Sequence, residues 1–206
     1  MYLSQWKMSY EEYAQNFQGD FHKVHQKVWC LFGDKDKDRK FLYRELMKKE
    51  GVVILVQSEY PIEEPPTTGT FLSKEFNRPL KKGKTYQFNI KTNPVVEKAR
   101  PGKKNSAKVP LTDPRTIEEW LIKRLEGRGV QVKSVQAQPC LKRFSSSKGY
   151  GISTCEVKGV LILTDEEIAT TLITKGIGDS KSYGCGLLLL TEIEEESISS
   201  DVDCDD

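Results

Sequence analysis

The second half of the chain reads as strand, helix, strand, strand, helix, strand, and the first half as strand, helix, strand, strand, a weak region and a strand. That order, written twice, predicts an α+β fold of two tandem ferredoxin-like βαββαβ units, with the second helix of the first unit weak or short. Length agrees, since 206 residues is room for two small domains. The reading divides the chain into an N-terminal unit at 1–95, a basic loop or linker at 96–112 and a C-terminal unit at 113–191. A tail at 192–206 is acidic, has few apolar groups to bury and is expected to be disordered.

Taken in order, Met1–Ser9 alternates Tyr2, Trp6 and Met8 and reads as a strand. Asp20 is an N-cap for a helix over about 21–32, where Phe21, Val24, Val28 and Leu31 make one apolar face and Gly33 ends it. Phe41–Leu46 and Val52–Gln57 are strands joined as a hairpin. Pro61–Pro66 is a breaker-rich loop, Phe71–Phe76 a weak strand, and Thr85–Lys91 a strand that alternates Tyr86, Phe88 and Ile90. This last strand closes the first unit in the reading. After the basic loop Pro94–Pro110, Asp113 and Pro114 open a helix of about 115–127 with Ile117, Leu121 and Leu125 on its stripe. Val130–Gln138 and Ser153–Leu163 are strands linked through 145–151. Thr164 with Glu167 forms a capping box for a helix to about Thr174, the glycine-rich loop Gly176–Gly186 follows, and Leu187–Leu190 is a buried strand.

The formal net charge of +2 hides a strong asymmetry. From Glu192 onward there are eight acids and no Lys or Arg, so the preceding residues hold 32 bases against 22 acids, about +10. Between Arg78 and Lys108 stand ten bases and one acid, Glu97, a density that attracts a polyanion with steep salt dependence. No apolar run approaches 18 residues and no secretory signal opens the chain. Five cysteines are scattered without a C-x-x-C pair, which argues for reduced thiols in a cytoplasm, against a disulfide scaffold and against a cysteine-built zinc site. Membrane, secreted and fibrous classes are excluded on this reading.

The glycine loop is not a nucleotide motif. The phosphate-loop pattern needs glycine before its lysine, where Ser180 stands, and the dinucleotide pattern needs a third glycine where Lys181 stands. Both motifs also run strand–loop–helix, whereas this loop runs helix–loop–strand. Its glycines with Lys181 would still let amides and an ammonium approach a phosphate backbone. His22 and His25, the only histidines, lie three apart on one helix with the apolar face beside them. Two ligands without a third do not make a metal site, so the expectation is no metal and no cofactor. Imidazole does suit proton transfer near neutral pH.

Several segments together resemble the CasE family, the type I-E CRISPR endoribonucleases. They are Met1-Tyr-Leu-Ser4, His25-Gln-Lys-Val-Trp29-Cys-Leu31-Phe32, Phe41-Leu-Tyr-Arg44, Thr92-Asn93-Pro94-Val95-Val96, Lys108-Val-Pro-Leu111, Trp120-Leu121, Lys175-Gly-Ile-Gly178 and Lys181-Ser-Tyr-Gly-Cys-Gly-Leu-Leu188. These segments span residues 1–190 in family order. The resemblance implies two ferredoxin-like domains of the RAMP type, RRM-like in fold. It also implies metal-independent cleavage of precursor CRISPR RNA at the 3′ base of a repeat hairpin, and a place beside other subunits in Cascade, in a prokaryotic cytoplasm. No membrane and no small-molecule partner is expected.

Carried over by position, His25 is the catalytic histidine. Lys181, Ser182 and Tyr183 with Gly176, Gly178, Gly184 and Gly186 form the RNA-contacting loop, and Arg100, Lys103, Lys104 and Lys108 belong to the strand-clasping basic segment. The chain departs from the family where a tyrosine commonly stands three residues before the histidine, the place of His22 here, and in its acidic tail. RNA supplies the 2′-OH nucleophile, so His25 is expected to transfer a proton, His22 to be the second carrier and Lys181 to offset phosphoryl charge. The competing readings are a non-catalytic RNA-binding subunit of the same fold and a basic scaffold protein that binds no RNA.

Overall fold

The computed structural model describes residues 1–33, 40–77, 79–99, 102 and 106–193. The acidic tail beyond 193 and the basic residues Arg78, Arg100, Lys103 and Lys104 lie outside the described residues.

The first sheet is made of β1 (Tyr2–Met8), β2 (Phe41–Lys48), β3 (Gly51–Ser58) and β4 (Thr70–Glu75), in the order β2-β3-β1-β4, with every pair antiparallel. This is the ferredoxin-like arrangement. Two helices precede β2. The first, α1 (Tyr10–Phe17), was not expected, although Ser9 and Glu12 form a reciprocal capping box at its start. Its apolar positions Tyr10, Tyr13 and Phe17 are spaced for a helix, but the strand pattern before Ser9 runs straight into them. The second, α2 (Phe21–Cys30), lies where the Asp20 cap and the Phe21–Val24–Val28 stripe place it. Trp6, Phe17, Val24, Val28, Tyr43 and Ile54 meet in the core of this unit. Between β3 and β4 the proline-bearing segment 59–69 contains no helix, in line with the weak second helix expected there.

The second sheet has the order β11-β5-β10-β8, again antiparallel throughout. Its strands are β5 (Thr85–Thr92), β8 (Val130–Ala137), β10 (Tyr150–Leu163) and β11 (Leu188–Glu192). Helices α3 (Pro114–Leu125) and α4 (Glu166–Lys175) give it a βαββαβ order. The strand at 85–92 therefore opens the second unit, whereas the sequence reading closes the first unit with it at residue 95. Its alternation shows that one face is buried, but its partners are Cys155–Ile162 and Leu188–Glu192, far away in sequence. No local pattern could choose the sheet.

Smaller corrections follow the same logic. The cap of α4 is Asp165, whose side chain accepts from the Ile168 amide, and not Thr164. Within the basic loop, β6 (Val95–Lys98) and β7 (Ala107–Pro110) pair as a small ribbon. The strand β10 starts at Tyr150 and its first half pairs with β9 (Leu141–Ser145), an arm that reaches out of the second sheet. Where the units meet, Leu42, Leu55 and Leu187 form a small buried cluster. No helix among the described residues is long and apolar enough to cross a membrane.

Candidate active site

The histidine helix is fixed at its start by Asp20, a buried carboxylate that works in two directions. One oxygen accepts the His22 amide at 2.8 Å, the ordinary N-cap bond. The other accepts the Ser147 amide at 2.9 Å and the Ser146 hydroxyl at 3.1 Å, both in the turn between β9 and β10 of the second unit. Burial alone would raise the Asp20 pKa, but these hydrogen bonds hold it well below the usual carboxylate range. One cap thus positions both histidines and ties their helix to the opposite unit.

With Phe21, Val24 and Val28 facing the core, His22 and His25 are half-buried on the helix flank. The Tyr43 ring from β2 stacks along His25 at 6.3 Å and 17°, and Trp29 meets it edge-on at 5.7 Å. The two imidazoles stand 6.3 Å apart. Tyr183, from the glycine-rich loop, lies edge-on to both, 6.3 Å from His22 and 6.2 Å from His25. Phe21 backs that ring at 4.7 Å, and the Tyr150 hydroxyl donates to the Tyr183 hydroxyl. Burial, then the bond to Tyr183, push the Tyr150 phenol up to about 12.

The loop reaches this place because it can fold unusually tightly. A Cβ on Gly176 (φ +70°) would come within 2.8 Å of both the Gly186 carbonyl oxygen and Leu42. One on Gly186 (φ +88°) would lie 2.7 Å from the Ile177 carbonyl oxygen. The Ile177 amide donates to Gly186 O at 3.0 Å, and the Gly186 amide donates to Lys91 O at 2.8 Å, which fastens the loop to β5. The buried Tyr43 hydroxyl donates to Ser182 O at 2.9 Å, fastening it to the first unit.

Lys181, Ser182, Tyr183 and Lys108 line one opening of about 440 Å³, together with Asn93. The Lys181 ammonium donates to Lys175 O at 2.8 Å, at the negative end of α4. Lys108 pairs with Asp179 at 2.7 Å, which raises its pKa. Gly178 lines the same opening against Trp120, and Gly184 is buried against Tyr43. The sequence-derived candidates among the described residues therefore converge. His22 and His25 meet Tyr183, while Lys108, Lys181 and Ser182 share its opening. Among the described residues no three His, Cys, Asp or Glu side chains gather as metal ligands.

A charged joint behind this site was not visible in the sequence. Glu45, on the same face of β2 as Tyr43, accepts from Tyr13 of α1 and from Arg143 of β9 at 3.0 Å, with Lys91 of β5 3.8 Å away. On the opposite face, Arg44 pairs with Glu156 and donates to the Asn89 side chain at 2.9 Å. Strand β2 is clamped to the second unit on both faces.

Comparison with known proteins places this architecture. A family model described as CRISPR associated protein matches residues 1–192. The chain is 29% identical over 193 residues to the CRISPR system Cascade subunit CasE of Escherichia coli K12, covering 87% of this chain and 96% of that protein. It is 29% identical over 153 residues to the CRISPR-associated endoribonuclease Cse3 of Thermus thermophilus, covering 68% and 72%. The crystal structure of Cas6e from Escherichia coli K-12 is similar at a TM-score of 0.74 and 26% identity, with 94% and 100% covered. Thermus thermophilus Cse3 bound to an RNA representing a pre-cleavage complex shares the fold at a TM-score of 0.81 and 22% identity, with 92% and 98% covered.

Proposed function

The chain belongs to the CRISPR associated protein family, the family of CasE and Cse3, and from that premise we propose that it is a metal-independent endoribonuclease that cuts precursor CRISPR RNA. It binds the hairpin of the CRISPR repeat, cuts at the 3′ base of the stem and delivers the mature guide to a Cascade complex in a bacterial cytoplasm. The observation that carries the reading is the meeting of His22 and His25 with the glycine-rich loop of the opposite unit, at Tyr183.

The chemistry needs no external nucleophile. The 2′-OH attacks the adjacent phosphorus, its proton passes to an imidazole, and the P–O5′ bond breaks with proton donation to the leaving oxygen. The products are a 2′,3′-cyclic phosphate and a 5′-OH. His25, oriented by Tyr43 and Trp29, carries one proton transfer and His22 the other. Lys181 and Lys108, at the opening beside Tyr183, offset charge on the RNA backbone. Arg100, Lys103 and Lys104, in the same basic stretch of sequence, add charge for binding the stem, which is read by A-form shape more than by sequence. Ser182 and Gly176, Gly178, Gly184 and Gly186 shape the loop that lies against the RNA.

Cleavage of an end-labelled repeat hairpin in excess EDTA tests the reading. The wild type should make one cut, lost with a 2′-deoxy group at the scissile nucleotide and reduced roughly 10²- to 10⁴-fold in His25→Ala. Tight binding with no cut on any of several repeat hairpins would instead identify a non-catalytic RNA-binding subunit.

A further inference from the structure

We propose that Tyr183 is a catalytic residue of this cleavage, donating a hydrogen bond from its hydroxyl to a non-bridging oxygen of the scissile phosphate, with Tyr150 as its positioning residue. The inference rests on the endoribonuclease reading above and names a group that reading leaves without a chemical role.

Three observations carry it. Tyr183 is the second unit's ring that touches both imidazoles, at 6.3 and 6.2 Å, so a phosphodiester placed between the proton carriers meets its edge. Its oxygen already accepts the Tyr150 proton, which leaves its own proton free to point elsewhere. That accepted bond also polarises the O–H and makes it a stronger donor. Tyr183 further lines the opening that holds Asn93, Lys181 and the Lys108–Asp179 pair, and the net positive charge of that opening favours an anionic backbone.

The neighbouring tyrosine hydroxyls are already committed. Tyr43 is fully buried and donates to Ser182 O, and Tyr150 donates to Tyr183. Phe21 and Tyr150 hold the Tyr183 ring from two sides, as a preorganised donor requires. The high pKa of Tyr150 keeps it protonated, and so a donor to Tyr183, across the working pH range.

The test uses single-turnover cleavage by the full chain, with hairpins carrying a phosphorothioate of either configuration at the scissile phosphate. Tyr183→Phe should slow cleavage of the all-oxygen hairpin by roughly 10²-fold. Its affinity for the uncleavable 2′-deoxy hairpin should stay within about twofold, because one neutral hydrogen bond is removed from a largely electrostatic interface. Sulfur of one configuration should slow the wild type and no longer slow Tyr183→Phe. Tyr150→Phe should lose less rate than Tyr183→Phe and keep the sulfur effect. A 3-fluorotyrosine at 183 preserves the packing and should change the rate through the altered donor strength of its hydroxyl.

Wild-type rate in Tyr183→Phe, a slowed variant that keeps the full sulfur effect, or an unchanged rate with the fluorinated residue would each overturn the assignment. Were the wild type itself unable to cut any hairpin, the endoribonuclease reading would fall, and this inference with it.

Discussion

Both units build the same four-strand order, and they differ in how the chain returns from the third strand to the fourth. In the first unit the segment 59–69 crosses with Pro61, Pro65 and Pro66 and no helix, while α1, earlier in the chain, supplies Phe17 to the core. In the second unit the return runs through α4 and the glycine-rich loop, and that loop docks on Tyr43 and Leu42 of the first unit. The first crossover is a connector. On the proposed mechanism the second carries chemistry, because it brings Tyr183 to histidines that its own unit does not contain. On that proposal neither unit holds a complete site, and the joint between them belongs to the proposed catalytic apparatus.

The charged half of that joint should show the largest effect on stability. Glu45→Ala leaves Arg143 and Lys91, with side chains 18% and 12% exposed, facing each other without the carboxylate that lies against both. Breaking a buried ion pair on one side costs about 3–5 kcal/mol, so urea unfolding should move by that amount. A change under about 1 kcal/mol would mean that the units do not depend on each other for stability.

The cap should matter less, but with a distinctive pH signature. Asp20→Ala removes an N-cap bond and two bonds to the opposite unit, and should cost about 1–2 kcal/mol at pH 7. Because the folded pKa of Asp20 is depressed, its contribution is present above the unfolded value of about 4 and is lost as pH falls through the folded value. The wild type should therefore lose stability below about pH 5, and Asp20→Asn should flatten part of that decline. An identical acid limb in both proteins would contradict the assignment.

The smallest effect belongs to the connector. Thr67→Ala, exposed in the segment 59–69, should shift unfolding by no more than about 0.5 kcal/mol and leave hairpin cleavage unchanged. A loss of cleavage there would show that the first crossover also takes part in function, and the contrast between the units would disappear.

Much of this molecule is legible in its residues because the relevant physics is local. Asp20 ahead of Phe21, Val24 and Val28 specifies α2 and sets both histidines on one flank. Asp113 and Pro114 specify the start of α3, and alternation marks 85–92 as a strand. The glycines of 176–186 announce a loop too tight for side chains, and the histidines with Lys181 mark it and α2 as the places to look. Tertiary structure alone decided which sheet takes β5, that Asp20 also binds Ser146 and Ser147, that Glu45 meets Arg143, and that Tyr183, bonded to Tyr150, meets His22 and His25. Each of these pairs residues tens of positions apart or more. A residue's periodicity reports which face is buried, whereas the identity of the group buried against it is set by how the two sheets come to rest on each other.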